Sequence, residues 1–156
     1  MALFEQGFGR KPLSTCAPGY RFNTDTCLLW QAAGIPVVHN TVPVVEGGLW
    51  CQPRNVHFEP VLWDNAVEVA LRAAELAVRR GDPIVICTHS INYIMRHTGR
   101  AEHGRTELSL LLTSLRQRYP DLRFAHELTL HQAWQRNDAD WWRAPTASER
   151  LARLAS

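Results

Sequence analysis

A short apolar run that ends abruptly in polar residues constrains the fold of this chain more than any other feature. Residues 84–87 are Ile, Val, Ile and Cys, and the preceding residues 81–83 are Gly, Asp and Pro. The run is too short for a buried helix and rich in β-branched side chains, so it predicts a strand covered on both faces. Thr88 and His89 follow it directly. Because ligands gather outside the carboxyl ends of strands in parallel α/β sheets, His89 is the first candidate for a functional group.

The length and charge of the chain limit the classes of protein to which it can belong. Its 156 residues suit a single domain spanning 1–156, and an apolar fraction of 46% is enough to form a buried core. The net charge is only +2, from 17 basic and 15 acidic residues spread along the chain. Neither nucleic acid nor a membrane surface is therefore expected as a partner.

The cysteines indicate a reducing compartment. Cys16, Cys27, Cys51 and Cys87 are isolated and show no metal-binding spacing, and two of them fall within predicted core elements. Free thiols of this kind favour a reduced protein over a disulfide framework. No signal-peptide pattern is present, and no run approaches the roughly 20 apolar residues of a membrane span. We therefore expect a cytoplasmic location.

Strand and helix patterns alternate along the chain. Such alternation predicts an α/β fold in which parallel strands are joined by crossovers, with the helices outside. The predicted strands are residues 13–16, 35–39, 83–87 and 122–125, and the predicted helices are residues 24–33, 65–80, 106–119, 128–136 and 147–154. Long irregular connections are predicted at residues 43–60 and 97–104.

Polar groups follow three of the predicted strands. If the strands are parallel, their carboxyl ends bring together His39-Asn40, residues 88–92 and His126-Glu127. A histidine at such an edge suits general acid or base chemistry, because imidazole titrates near neutral pH. The alternative for His89 is a loop histidine that binds a neighbouring carbonyl group.

Three further interpretations of these residues remain open. Ser90 beside His89 suggests a serine nucleophile, but the G-x-S-x-G elbow is missing and adjacent extended side chains point apart. A metal site built from His39, His89 and His126 has suitable ligands, although nothing local enforces its geometry. The segment with Arg54, Asn55, His57 and Glu59 suits either a lid over the strand ends or an ordinary surface loop.

Several segments together resemble the polysaccharide deacetylase (NodB-homology) family. The resemblance covers roughly residues 2–130, corresponds to the later part of that family's catalytic domain, and leaves residues 131–156 as a helical tail. It rests on the order and spacing of STCAPGYRFNTDT (14–26), AGIPVV (33–38), PRNVHFEP (53–60), PIVICTHSINYI (83–94) and YPDLRFAHEL (119–128).

The resemblance implies a partial (β/α)-barrel-like parallel sheet with outer helices. Family members remove acetyl groups from sugars with a divalent metal, commonly zinc, held by an Asp and two His; a second Asp is the base and a late His the acid. The late His closes a strand, as His89 does here, so the acid role is assigned to His89. The turn with Pro18 and Tyr20 resembles the family's substrate groove, although its usual Arg falls near Cys16.

The predicted substrate-binding residues are Pro18, Tyr20, Arg54, Asn55 and Asn92. An acetylated carbohydrate is the expected partner.

The family's early strand with paired Asp residues and its H-x-x-x-H metal helix have no counterpart before residue 13. We therefore expect that this chain holds no zinc by itself and is incomplete as a catalyst. A missing N-terminal half is one explanation, and whether the chain is truncated or stands alone stays open. Whether it is an enzyme stays open. The alternative is a non-catalytic carbohydrate-binding or oligomerising half-barrel module, which would pair with another subunit because its sheet edges are exposed.

Overall fold

The computed structural model describes residues 2–40, 49–94, 99–136, 138–141, 146–148 and 151, which belong to two compact units. The first unit comprises residues 1–54 and 125–143, and the second comprises residues 55–124 and 144–156. In chain order the elements are α1 (Ala2–Phe8), β1 (Ser14–Cys16), a 3-10 helix (Pro18–Tyr20), α2 (Thr24–Ala32), β2 (Val37–Asn40), β3 (Trp50–Pro53), β4 (Val56–His57), α3 (Ala66–Arg79), β5 (Ile86–Cys87), α4 (Ile91–Ile94), α5 (Arg100–Arg118) and α6 (Glu127–Arg136).

The first unit contains a parallel sheet with the strand order β1-β2-β3. Its register aligns Cys16 with His39 and His39 with Gln52. Alternate residues of a strand face opposite sides, so the buried Val38 and Cys51 lie on one face, where they form a core with Cys27 of α2. His39 and Gln52 lie on the other face.

Helix α2 begins and ends where the sequence predicts. The side chain of Asn23 accepts a hydrogen bond from the backbone N–H of Thr26 at 2.9 Å, which satisfies a donor of the first turn. Gly34 follows the helix with a φ of 71°, a conformation that costs glycine little. These two signals fix the helix between β1 and β2.

The second unit is built on the parallel strand pair β4 and β5. Helix α3 buries an alanine face, Ala66, Ala70 and Ala74, against Val56 and Phe58. Leu111 and Leu115 of α5 complete this core. The alanine face brings the helix backbone close to the strands, so the residues that follow β4 and β5 are held in fixed positions.

A mixed α/β architecture with small parallel sheets is thus confirmed. The strand predicted at residues 83–87 is confirmed only for Ile86–Cys87, and the expectation that it is covered on both faces is wrong, because both residues are half-buried. The predicted strand at residues 122–125 is also wrong, since this segment is irregular and largely exposed. Segments as short as residues 84–87 and 122–125 form a strand only where a neighbouring strand is available for pairing.

Two predicted connections contain regular structure instead. Strands β3 and β4 interrupt the predicted loop 43–60, whose residues 43–48 lie outside the described part of the chain. Helix α5 begins at Arg100, inside the predicted loop 97–104, and Thr106 is not its cap. Gly104 was expected in a loop but lies inside the helix. Glycine is needed at this position because a side chain there would collide with Asn92. Most of the predicted helix 147–154 falls outside the described residues.

Among the described residues, no helix is both long and apolar enough to span a lipid bilayer.

Candidate functional site

Glu59 and His89 lie at the carboxyl ends of the two strands of the second unit. Glu59 comes two residues after β4, and His89 comes two residues after β5. Because these strands are parallel neighbours, the two side chains emerge at the same edge, and Glu59 Oε1 lies 2.6 Å from His89 Nδ1. The carboxylate–imidazole pair is therefore a direct consequence of the local strand topology.

The two partners differ sharply in exposure. The side chain of Glu59 is 8% exposed, whereas that of His89 is 69% exposed. The carboxylate is thus fixed inside the unit, and the imidazole projects from it towards solvent. Among the described residues, Nε2 of His89 has no hydrogen-bond partner, so this nitrogen is accessible from solvent.

The carboxylate also determines which ring nitrogen carries the proton. An ionised carboxylate can only accept hydrogen bonds, so at 2.6 Å the Nδ1 of His89 must donate. In the neutral imidazole this leaves the lone pair on Nε2. His89 is consequently oriented to take a proton at Nε2 and, once protonated, to give it to a neighbouring group.

Asn92 holds the carboxylate in place. This residue of α4 is completely buried, and its Nδ2 donates to Glu59 Oε2 at 2.6 Å and to the carbonyl oxygen of His89 at 2.9 Å. Its Oδ1 accepts from the backbone N–H of Val61 at 3.2 Å, which fixes the orientation of the amide. Both carboxylate oxygens of Glu59 are therefore engaged, one by Asn92 and one by His89.

Thr88 and Tyr93 extend this network. The Thr88 hydroxyl lies 2.7 Å from the Tyr93 hydroxyl and 3.3 Å from Asn92 Nδ2. Burial raises the pKa of Tyr93 above its ordinary value, and the charge of Glu59 adds to this increase, while the hydrogen bond from Thr88 opposes it. Tyr93 therefore stays neutral at physiological pH and adds no second negative charge beside Glu59.

Helix α5 supports the short helix α4 that carries Asn92. A Cβ atom built on Gly104 would lie 2.0 Å from the carbonyl oxygen of Asn92, so only glycine allows the two backbones to approach so closely. Arg105 Nη1 donates to the carbonyl oxygen of Tyr93 at 3.0 Å. The position of Asn92, and through it that of Glu59, thus depends on α5.

The other two histidines of the predicted edge belong to the first unit. His39 Nε2 lies 2.7 Å from Glu127 Oε2, and His126 Nδ1 accepts from the backbone N–H of Leu128 at 3.2 Å. Among the described residues, no group of three or more His, Cys, Asp or Glu side chains could hold a metal ion. These residues do not fit the zinc site that the family resemblance implies.

The predicted substrate-binding residues fall into both units. Pro18 and Tyr20 form the 3-10 helix of the first unit, where the guanidinium of Arg54 lies 3.5 Å from the centre of the Tyr20 ring. In the second unit, Asn55 donates to the carbonyl of Pro83 at 2.7 Å and accepts from the N–H of Val85 at 2.8 Å.

In this structure the side chains of both asparagines form hydrogen bonds with other groups of the protein. Asn55 continues the pairing of β4 and β5 through its side chain, and the fully enclosed Asn92 positions Glu59.

Sequence reasoning singled out His89 but not its partner. Glu59 was assigned only to a lid or a surface loop, because β4 is two residues long and gives no recognisable strand pattern. The available signal was its position directly after the buried Phe58. No serine nucleophile is indicated, since no hydrogen bond joins Ser90 to His89 among the described residues.

No family model, curated protein or solved structure matches the chain. The resemblance to polysaccharide deacetylases therefore remains an expectation from short sequence segments.

Proposed function

We propose that the second unit is the proton-transfer part of a deacetylase-like carbohydrate hydrolase, with His89 as the group that moves the proton. The single observation that supports this assignment is the 2.6 Å contact between the buried Glu59 carboxylate and Nδ1 of the exposed His89. A buried carboxylate is costly unless it is paired, and here its partners are a fixed amide and a solvent-facing imidazole. The substrate class, an acetylated sugar, comes from the sequence resemblance alone.

The proposed chemistry uses residues of this chain only for orientation and proton movement. Nε2 of His89 takes the proton of an attacking water molecule, and the resulting imidazolium gives it to the departing amine or alcohol of the acetylated sugar. Glu59 stabilises the imidazolium by charge, and Asn92 keeps the carboxylate aligned.

The role of His89 is tested by hydrolysis of p-nitrophenyl acetate, an activated ester whose cleavage needs a base but no metal. Because positioned acid–base groups contribute about 10² to 10⁴ in rate, we expect His89→Gln to lower protein-dependent hydrolysis by at least about tenfold. His103→Gln, which alters an exposed histidine of α5, is the matched control and should leave the rate unchanged. Equal rates for the two variants would contradict the role of His89.

The substrate class requires a separate binding measurement. Calorimetry with N-acetylglucosamine oligomers and with their deacetylated forms should show tighter binding of the acetylated oligomers. Equal affinity for acetylated and deacetylated oligomers, together with a hydrolysis rate that does not change in His89→Gln, would favour the second candidate function. Absence of binding to either oligomer would remove the carbohydrate assignment altogether.

That second candidate is a non-catalytic carbohydrate-binding or oligomerising module. It is favoured by Leu28 and Leu29 of α2, whose adjacent apolar side chains are largely exposed in the first unit. Sedimentation analysis of the purified chain tests self-association. A monomer at all concentrations would contradict an oligomerising role.

We propose further that the parallel strands belong to a (β/α)-barrel-like arrangement, as the resemblance implies. The support is that each strand pair in both sheets is parallel. A crystal structure in which these strands end in separate open sheets would contradict it. A cytoplasmic location is proposed because the thiols of Cys16 and Cys87 are free, and export to an oxidising compartment would argue against it.

A further inference from the structure

A second polar site lies in the first unit, at the carboxyl edge of its three-stranded sheet. Arg54 directly follows β3, and Tyr20 closes the 3-10 helix that follows β1. The guanidinium carbon of Arg54 lies 3.5 Å from the centre of the Tyr20 ring, which is the distance of a close cation–π stack. Tyr20 adopts a φ of 58°, directly after Gly19 with a φ of 61°, so the turn presents the ring in a backbone conformation that tyrosine seldom adopts.

The stack leaves two nitrogens of the Arg54 guanidinium unpaired. Nε and Nη1 are both buried and have no hydrogen-bond partner within the described part of the chain. An aromatic ring covers one face of the guanidinium plane, whereas the N–H groups donate within that plane, so Tyr20 cannot satisfy them. Because arginine stays charged in proteins, buried N–H groups of this kind require an acceptor, and an anion is the strongest one.

An unsatisfied acceptor lies two residues before Arg54, on strand β3. Gln52 is only 5% exposed, and its buried Oε1 has no hydrogen-bond partner among the residues that the structure describes. Its alignment with His39 of β2 places it at the same carboxyl edge of the sheet. The end of β3 therefore carries both an unpaired cation and an unpaired carbonyl oxygen, a combination that matches an anionic ligand with a hydroxyl group.

We propose that this edge binds an oxyanion-bearing ligand, either a carboxylate or a phosphate of a hydroxylated small molecule. Arg54 receives the oxyanion, Tyr20 holds the guanidinium in position, and Gln52 accepts a hydrogen bond from a ligand hydroxyl group. This inference is independent of the proton-transfer proposal, because its residues belong to the other unit and the resembled family implies a neutral acetyl group.

The test measures binding to the full chain by calorimetry, with inorganic phosphate, glucuronate and glucose as probes. We expect phosphate or glucuronate to bind and glucose to bind far more weakly. Phosphate alone would assign the ligand to phosphate esters, and glucuronate alone would assign it to acidic sugars. Equal binding of glucose and glucuronate, or no binding of either anion, would overturn the proposal.

Variants locate the site. Arg54→Gln should weaken anion binding at least tenfold, and Arg54→Lys should also weaken it because an ammonium lacks the planar N–H donors. The control is Arg72→Gln, since Arg72 is exposed and already paired with Glu68 at 2.8 Å; it should bind like the wild type. Tyr20→Leu is the second variant and should weaken binding while keeping the charge.

Thermal unfolding without ligand separates a binding role from a structural one. An arginine that awaits a ligand is an uncompensated charge in the free protein, so Arg54→Gln should leave the melting temperature unchanged or raise it. A clear fall in melting temperature for Arg54→Gln, with anion binding retained by the same variant, would show that Arg54 is structural and would overturn the inference. Hydrolysis of p-nitrophenyl acetate should be unaffected by both variants.

Discussion

At the scale of single residues, the candidate site depends on the hydrogen bond from Asn92 to Glu59. Replacing the amide NH₂ group of Asn92 by an oxygen would turn this attraction into repulsion. Asn92→Asp replaces the NH₂ group that faces Glu59 Oε2 at 2.6 Å with a carboxylate oxygen, in a fully buried position. We expect a loss of at least about 2 kcal/mol in the free energy of unfolding at pH 7. Urea denaturation followed by tryptophan fluorescence measures it.

The same variant should show a characteristic pH dependence. Two adjacent buried carboxylates share a proton, so the folded-state pKa of the pair is raised. The folded state then binds more protons than the unfolded state, and the lost stability should return as the pH falls. Asn65→Asp, at an exposed position before α3, makes the same change with the new carboxylate open to solvent and should stay within about 0.5 kcal/mol of the wild type.

At the scale of elements, the packing of α5 against α4 makes a second prediction. Gly104→Ala places a methyl group 2.0 Å from the Asn92 carbonyl oxygen, so the two helices must move apart. Overpacking of this kind costs about 1–3 kcal/mol, and the shift should also reduce His89-dependent hydrolysis. Thermal unfolding and the p-nitrophenyl acetate rate measure the two effects.

Gly7→Ala is the matched control, because Gly7 lies in α1 with no atom within 4 Å of the added Cβ. Alanine has the higher helix propensity, so this variant should be neutral or stabilising by up to about 1 kcal/mol. A Gly104→Ala protein as stable as Gly7→Ala would contradict the close approach of α4 and α5.

The elements that the sequence predicts well are those with strong local signals. The helices α2, α3 and α6 were predicted near their observed bounds, because caps and apolar periodicity are encoded within one stretch of chain. Strands β3 and β4 were missed because a strand of two to four residues is stabilised by its neighbours, which a local pattern does not contain. The partnership of Glu59 with His89 was missed for the same reason, since it depends on that pairing.

At the scale of the whole molecule, a single domain spanning residues 1–156 stays a prediction from length, and the described residues form two compact units, each with an apolar core of its own. Length and composition report how much apolar surface can be buried, but not into how many cores it divides. The parallel direction of the strands could be predicted, because alternating strands and helices leave few other topologies.

The pH dependence of overall stability supplies a third prediction, centred on His131 in the first unit. This residue of α6 is 3% exposed, and its ring lies 5.7 Å from that of Trp50 and 6.0 Å from that of Trp134. Burial lowers the pKa of His131 below its ordinary value of 6.5. The unfolded chain therefore binds the proton more readily than the folded protein does.

The sign of the effect follows from this difference. The stability contribution of neutral His131 is fully present above pH 6.5 and is lost as the pH falls through the lowered folded-state pKa. Within that window the free energy of unfolding should fall by up to about 1.4 kcal/mol per pH unit. Urea denaturation at pH 5 and pH 7.5 should show this loss in the wild type and in His103→Gln, but a smaller loss in His131→Phe. Identical pH profiles for all three proteins would rule out this role of His131.

The central claim is that Glu59 sets the proton position on His89, and the most direct test is the ¹⁵N spectrum of the His89 ring at a pH where it is neutral. We predict a protonated Nδ1 and a bare Nε2. In Glu59→Gln the new amide oxygen should face the NH₂ group of Asn92, because the hydrogen bond from Val61 fixes the orientation of the Asn92 amide. The NH₂ group of the new glutamine would then face Nδ1 of His89. Because an NH₂ group donates, Nδ1 must accept, and the ring proton should move to Nε2. A wild-type His89 already protonated at Nε2, or an unchanged proton position in Glu59→Gln, would contradict the account.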